Sequence, residues 1–293
     1  MIATRLGDLE NEERQKIRTD FLDLVILEAD LHVRLASRSD LQPARQFALQ
    51  ILEDAETAFG PSPVLCRERQ VHAEALGLTE VARQAADQTV NLPTPTSWER
   101  CALGRSHLQS GKLETAAREF KEAVRLEPGG LWPNYYLGIC TYQLGHAKDA
   151  LQAFSVCLGA AGRMTGALED TKSAQAQILY NRALALTAIG SIPEAIEDYN
   201  WALNLDPHFG KALLNRGILH LNKKNYDQAM ADLKQALENS VPPALVHYNL
   251  ALVHNAQNKP QAAIASAREA LKFDSTHKES QVLLKQLTGQ PSR

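Results

Sequence analysis

The sequence predicts an all-α chain, a right-handed α-α superhelix of about seven helix pairs closed by a C-terminal capping helix. Three columns of residues recurring on one period carry that expectation. Gly104 is followed by Gly138 at +34, and Ala183, Gly217 and Ala251 follow at +45, +34 and +34. Ala116, Ala150, Ala195, Ala229 and Ala263 keep the same intervals, and Phe120, Phe154, Tyr199, Leu233 and Ala267 run four residues behind them. Columns that share even one 11-residue slip mark a stacked repeat whose units contact chiefly their neighbours.

Each unit reads as two amphipathic helices joined by a short turn. A small residue at the eighth position and Ala at the twentieth let the paired helices approach. The bulky residue four further on lies one turn along the same face and fills the space between them. Gly111, Gly145 and Gly190 stand at position 15, where a left-handed cap would end the first helix. Lys224 and Asn258 replace that Gly in the last two units. Pro128 and Pro207, at position 32, help stop the second helix.

In chain order, residues 1–19 form a charged helical segment and 20–96 hold two degenerate pairs. The first pair has one helix over 22–35 and a second over roughly 44–58, between the breakers Pro43 and Gly60-Pro61. Residues 97–164 hold two units. An inserted loop follows at 165–175, overlapping a Gly-containing stretch at 159–173 that produces the slip. Residues 176–277 hold three units, and 278–293 form a capping helix and tail carrying Val282, Leu283, Leu284 and Leu287.

These units resemble tetratricopeptide repeat (TPR) motifs. The clearest runs from Ala176 through Q-I-L-Y-N-R to Ala183, then Gly190, A-I-E-D-Y at 195–199, Ala202 and L-N-L-D-P at 203–207. The unit from Ser97 to Pro128 matches through Leu103, Gly104, Gly111, Ala116, Phe120, Ala123 and Leu126. The resemblance implies that the first helices line a concave groove, with positions 2, 5, 6, 9, 12 and 13 facing into it. That groove would begin aromatic, with Trp98, Trp132, Tyr135, Tyr136 and Tyr142, and with Arg105 among the same positions. It would continue through Tyr180, Asn181, Lys211, Asn215, Tyr248 and Asn249.

Asn181, Asn215 and Asn249 are spaced 34 and 34. An Asn amide offers two donors and an acceptor, so three in register could grip an extended backbone without reading its side chains. This is similar to the asparagine ladders of the transferase that attaches N-acetylglucosamine and of kinesin light chains. Asn at this position can also serve local hydrogen bonding. The dicarboxylate clamp of chaperone-binding TPR proteins fits poorly. Asn181 and Lys211 fill two of its five places, but Tyr135, Ile139 and Asn215 stand at the others. Three runs, P-S-P-V-L-C-R-E-R from Pro61, L-P-T-P-T-S-W-E-R from Leu92 and L-W-P-N-Y-Y-L-G-I-C-T-Y from Leu131, resemble TPR tails of large bacterial serine/threonine kinases. That resemblance implies a non-catalytic regulatory segment that places substrates or self-associates.

Chemistry is not expected of the chain itself. It has no G-x-x-x-x-G-K-[ST], G-x-S-x-G, H-E-x-x-H, H-R-D or D-F-G. His247 and His254 at i, i+7 lack an evident third metal ligand, and no cofactor is expected. Residues 1–209 carry 20 Lys and Arg against 28 Asp and Glu, and residues 210–293 carry 11 against 6. That is no concentrated basic stripe, so a protein or peptide partner is expected, not nucleic acid. The longest apolar run near the N-terminus is too short to span a membrane, and no signal-peptide h-region is seen. Four scattered cysteines, 66, 101, 140 and 157, read as buried thiols in a reducing cytoplasm.

Overall fold

The computed structural model describes residues 11–90, 92, 96–161 and 169–289. Among them are fifteen α-helices and no strand, following one another as seven pairs and a terminal helix. The pairs are α1 (Asn11–Leu35) and α2 (Leu41–Phe59), α3 (Pro63–Ala75) and α4 (Thr79–Val90), α5 (Ser97–Gln109) and α6 (Leu113–Leu126), and α7 (Leu131–Gln143) and α8 (Ala147–Ala161). They continue with α9 (Glu169–Ala188) and α10 (Ile192–Leu205), α11 (Gly210–Asn222) and α12 (Tyr226–Leu237), α13 (Pro243–Ala256) and α14 (Pro260–Phe273), before α15 (Lys278–Thr288). Two compact bodies result, Met1–Cys140 and Thr141–Arg293.

The repeat columns are the core. Ala116, Ala150, Ala195, Ala229 and Ala263 are each 0% exposed, and Phe120, Phe154, Tyr199, Leu233 and Ala267 are at most 1% exposed. A Cβ on Gly104 would stand 2.6 Å from the Phe120 ring, so the first column must stay small where the second helix crosses. On Gly217 it would meet Leu233 at 3.2 Å.

Six intra-pair turns share one geometry. Gly77, Gly111, Gly145, Gly190, Lys224 and Asn258 all have φ between 57 and 83°. The next N–H reaches back to a first-helix carbonyl, as in Lys112 to His107 (2.9 Å), Ser191 to Leu186 (2.9 Å) and Asn225 to His220 (2.8 Å). This is the Schellman pattern, which satisfies carbonyls left over at a helix end. Lys224 and Asn258 hold it without Gly, because two backbone bonds outweigh the cost of about 1 kcal/mol for a left-handed non-glycine residue.

Three sequence expectations need correction. The charged segment ending at 19 is not separate, since α1 runs unbroken from Asn11 to Leu35. No Gly or Pro interrupts it, and Arg18 ties it to α2 through the Phe59 carbonyl at 3.0 Å. Pro43 does not bound the second helix but lies within the first turn of α2, where its missing N–H costs nothing. Residues 169–175, expected in the loop, are helical in α9, since no Gly or Pro stands among them to stop a helix. The rest of that loop, 165–168, lies outside the described residues. In α15, Leu283 packs with Ala251 and Ala267, Leu284 and Leu287 lie against them, and Val282 is 54% exposed.

Candidate protein-interaction site

In the first body Trp132, Tyr135 and Tyr136 are drawn together, and α1 engages Trp98 and Arg105. Trp98 donates its indole N–H to Asp23 Oδ2 at 2.8 Å, and Arg105 donates to Asp23 Oδ1 at 2.6 Å. Both come from α5, whose start is set by a capping box between Thr96 and Glu99. Ser62 also donates to Glu99, at 3.2 Å, joining the start of α3 to that cap. Trp98 packs further against the buried cluster to which Leu22 and Ala29 of α1 belong. Burial raises the Tyr136 hydroxyl pKa, and a hydrogen bond to Arg105 partly offsets the rise.

Tyr136 stacks on Phe120 with centroids 5.3 Å apart, and Tyr135 meets it edge-on at 5.5 Å. Trp132 stands over both, 6.1 Å from Tyr135 and 6.3 Å from Tyr136, and is 55% exposed. The aromatic positions therefore divide. Trp98 and Arg105 are occupied by the chain's own first helix, whereas Trp132 presents its indole to solvent.

In the second body the three asparagines hold the same register on α9, α11 and α13. Asn181 is 8% exposed and Asn249 5%. Gln177 donates to the Asn181 amide oxygen at 3.4 Å. Asn215 donates to the Tyr180 hydroxyl at 3.3 Å and also bonds that of Tyr199, which Thr187 supports as well. Asn249 donates one N–H to Leu245 O at 2.8 Å. Each amide thus spends part of its capacity inside the protein.

Tyr180 leans on Phe209 at 4.9 Å and on Tyr199 at 6.0 Å. Burial raises its hydroxyl pKa, the Asn215 bond lowers it, and Tyr142 nearby adds to the rise. Tyr248 packs beside His277 at 5.5 Å, and Lys211 is exposed.

Two features went unread in the sequence. Arg182 forks onto Asp198 with bonds of 2.7 and 2.6 Å, and Arg216 onto Asp232 with 2.8 and 2.6 Å. Arg216 also reaches Asn200 of α10 at 2.8 Å, bracing successive units. The signal was present as Arg followed by Asp sixteen residues later, repeated at +34. The second feature is a pocket of about 340 Å³ lined by Leu151, Leu186, Glu194, Glu197 and the 56% exposed Trp201. Among the described residues no cluster of three or more potential metal ligands occurs. No helix there is long and apolar enough to cross a membrane. All four cysteines are buried free thiols, and burial lifts Cys101 and Cys157 to about 12.

Comparison with known proteins agrees with this architecture. The chain is 32% identical over 92 residues to neutrophil cytosol factor 2 of Bos taurus, covering 31% of this chain and 17% of that one. It is 34% identical over 58 residues to Hsp70-Hsp90 organizing protein 3 of Arabidopsis thaliana, covering 20% and 10%. It thus spans under a fifth of the length of these curated relatives. Among solved structures, the C-terminal part of a TPR repeat-containing protein from Cytophaga hutchinsonii superposes with a TM-score of 0.58 at 15% identity, covering 91% of this chain and 99% of that one. YrrB, a TPR protein with an unusual peptide-binding site, gives 0.53 at 16% identity, covering 64% and 91%. A family model for the tetratricopeptide repeat matches residues 101–163, 180–243 and 214–277, more than half of the sequence. With its helix pairs, small-residue columns and left-handed turns, the chain belongs to the tetratricopeptide repeat family.

Proposed function

We propose that the chain is a non-catalytic scaffold that holds an extended peptide of a partner protein along α9, α11 and α13. TPR proteins mediate protein–protein interactions, and YrrB shares the fold and has a peptide-binding site. The observation that carries the reading is the 34-residue recurrence of Asn181, Asn215 and Asn249 on successive first helices. Neighbouring helices pack about 8–10 Å apart. An extended chain advances about 3.3 Å per residue, so one amide would meet every third peptide residue. The amides are partly spent internally. Asn249 keeps its second N–H and its oxygen for a ligand, which suits one bond per amide better than a double grip.

Lys211 would add charge attraction for a peptide carboxylate, and Tyr248 an aromatic wall. Trp132, with Tyr135 and Tyr136 behind it, would take an inserted side chain in the first body. The kinase-tail reading rests on three sequence runs alone and is carried no further.

Peptides selected by phage display against the whole chain would test the proposal. Asn215→Ala with Asn249→Ala should weaken the selected peptides about thirtyfold, since each of the two lost bonds is worth roughly 1 kcal/mol. Unchanged affinity in the double variant would remove the asparagine grip.

A further inference from the structure

The pocket beside Trp201 takes three of its lining residues from one face of α10. Glu194, Glu197 and Trp201 are spaced three and four, so they stand one above another along that helix. Leu151 of α8 and Leu186 of α9 give the pocket an apolar wall, and Arg182 and Asp198, joined by their fork, complete the lining. Trp201 is 56% exposed, and among the described residues its indole meets no other ring and its N–H finds no acceptor. Glu194 and Glu197 are exposed as well, and neither makes an ion pair or hydrogen bond among those residues.

The fold does not require these three side chains. One repeat later Gln228, Ala231 and Gln235 hold the same places, whereas the Arg182–Asp198 fork recurs there as Arg216–Asp232. At the place of Trp201 the other units from residue 97 onward carry Glu122, Val156, Gln235 and Glu269. The fork therefore belongs to the repeat, and the two glutamates with the indole belong to this unit alone. Asp198 is engaged by Arg182, and the three carboxylates with one guanidinium leave the pocket a net charge of −2. Its volume of about 340 Å³ is at the small end for a ligand site, room for one side chain.

We propose that this pocket takes an arginine side chain of a partner protein. A guanidinium is planar, donates in pairs from its edges and stacks through its faces. Its edges donate to Glu194 and Glu197, whose Cβ atoms, three residues apart on a helix, stand about 5–6 Å from each other. One face lies on the Trp201 indole, the aromatic ring that attracts a cation best. The methylene stem runs over Leu151 and Leu186. A lysine ammonium has neither the fork nor a flat face and holds its water more tightly, so it fits less well. None of the three asparagines lines this pocket, so the two proposals stand or fall independently.

Titration of the whole chain with Nα-acetyl-arginine amide, followed through the indole N–H resonances of its three tryptophans, would test it. Trp201→Phe identifies the Trp201 resonance by its loss. That resonance should shift saturably, while that of Trp98, held by Asp23, stays in place. Glu194→Gln with Glu197→Gln should weaken the probe at least tenfold. Both positions are exposed, so the thermal melt of this variant should match that of the wild type. The citrulline analogue, which keeps the shape and loses the charge, should leave the Trp201 resonance unmoved. The lysine analogue should bind at least threefold more weakly than the arginine probe. A Trp201 resonance that ignores the arginine probe would overturn the proposal. An equal response to citrulline, an equal affinity for lysine, or undiminished binding in the double variant would overturn it too.

Discussion

The Asp23 carboxylate accepts the Trp98 indole N–H at 2.8 Å, closing a separation of 75 residues. The same carboxylate holds Arg105, so one residue of α1 engages two side chains that the family resemblance would leave to a ligand. Asp23 and Arg105 are each more than a third exposed, which limits the worth of the contact to about 1 kcal/mol. Asp23→Ala should lower the urea midpoint slightly, shift tryptophan emission to the red and speed amide exchange in α1. An emission spectrum identical to wild type would mean that the contact does not hold Trp98 in solution.

Breaking one Arg–Asp fork should cost far more. Asp232 is 6% exposed, and Arg216 gives it both fork bonds. Arg216→Met would strand that carboxylate and destabilise the second body by about 3 kcal/mol. Arg216→Met with Asp232→Leu should recover most of the loss, because an apolar pair leaves no buried charge. Denaturant unfolding of Arg216→Met, Asp232→Leu and the double variant measures the coupling.

Glycines of the two kinds should respond differently to the same change. Gly104→Ala sets a methyl 2.6 Å from the Phe120 ring and should cost about 1–3 kcal/mol through overpacking. Gly111→Ala meets nothing within 4 Å, yet at φ +72° it should still cost about 1 kcal/mol. Lys224→Gly, at φ 61°, should instead stabilise slightly, and thermal melts of the three rank them.

Acid should weaken the fold through its histidines. Burial and the neighbouring Arg45 hold His72 down at about 4, against an ordinary value near 6.5. His107, His220 and His254 stand at the eleventh position of their units and are also lowered, chiefly by burial. Their Nδ1 atoms are buried without a hydrogen-bond partner among the described residues. A lowered histidine keeps the folded state neutral while the unfolded chain takes up protons. Stability should be complete above about pH 6.5 and fall as the pH drops toward 4. His72→Gln should flatten that slope in melts taken across the window, and a slope equal to wild type would exclude His72 as a cause.

Most of the architecture was legible in the sequence because it is local and repeated. A period of 34 in small and bulky residues fixes which helix faces meet, and each unit meets only its neighbours. The left-handed turns were legible at Gly111, Gly145 and Gly190, and the same columns located them at Lys224 and Asn258. The unbroken run of α1 was also legible, since no Gly or Pro stops it. The Arg–Asp forks were written at a fixed spacing of sixteen. They passed unread because a pair sixteen apart belongs to no single helix face.

Sequence alone therefore determined the pairs, their core columns and the register of Asn181, Asn215 and Asn249. Only the tertiary structure decided how much of each site residue remains available. That Asp23 would occupy Trp98 and Arg105, and that Asn215 would bond Tyr180 and Tyr199, depends on side chains meeting across helices. Nor could the spacing of Glu194, Glu197 and Trp201 say that Leu151 and Leu186 would complete a pocket beside them. Periodicity records which residues share a face, and packing between helices sets what that face touches.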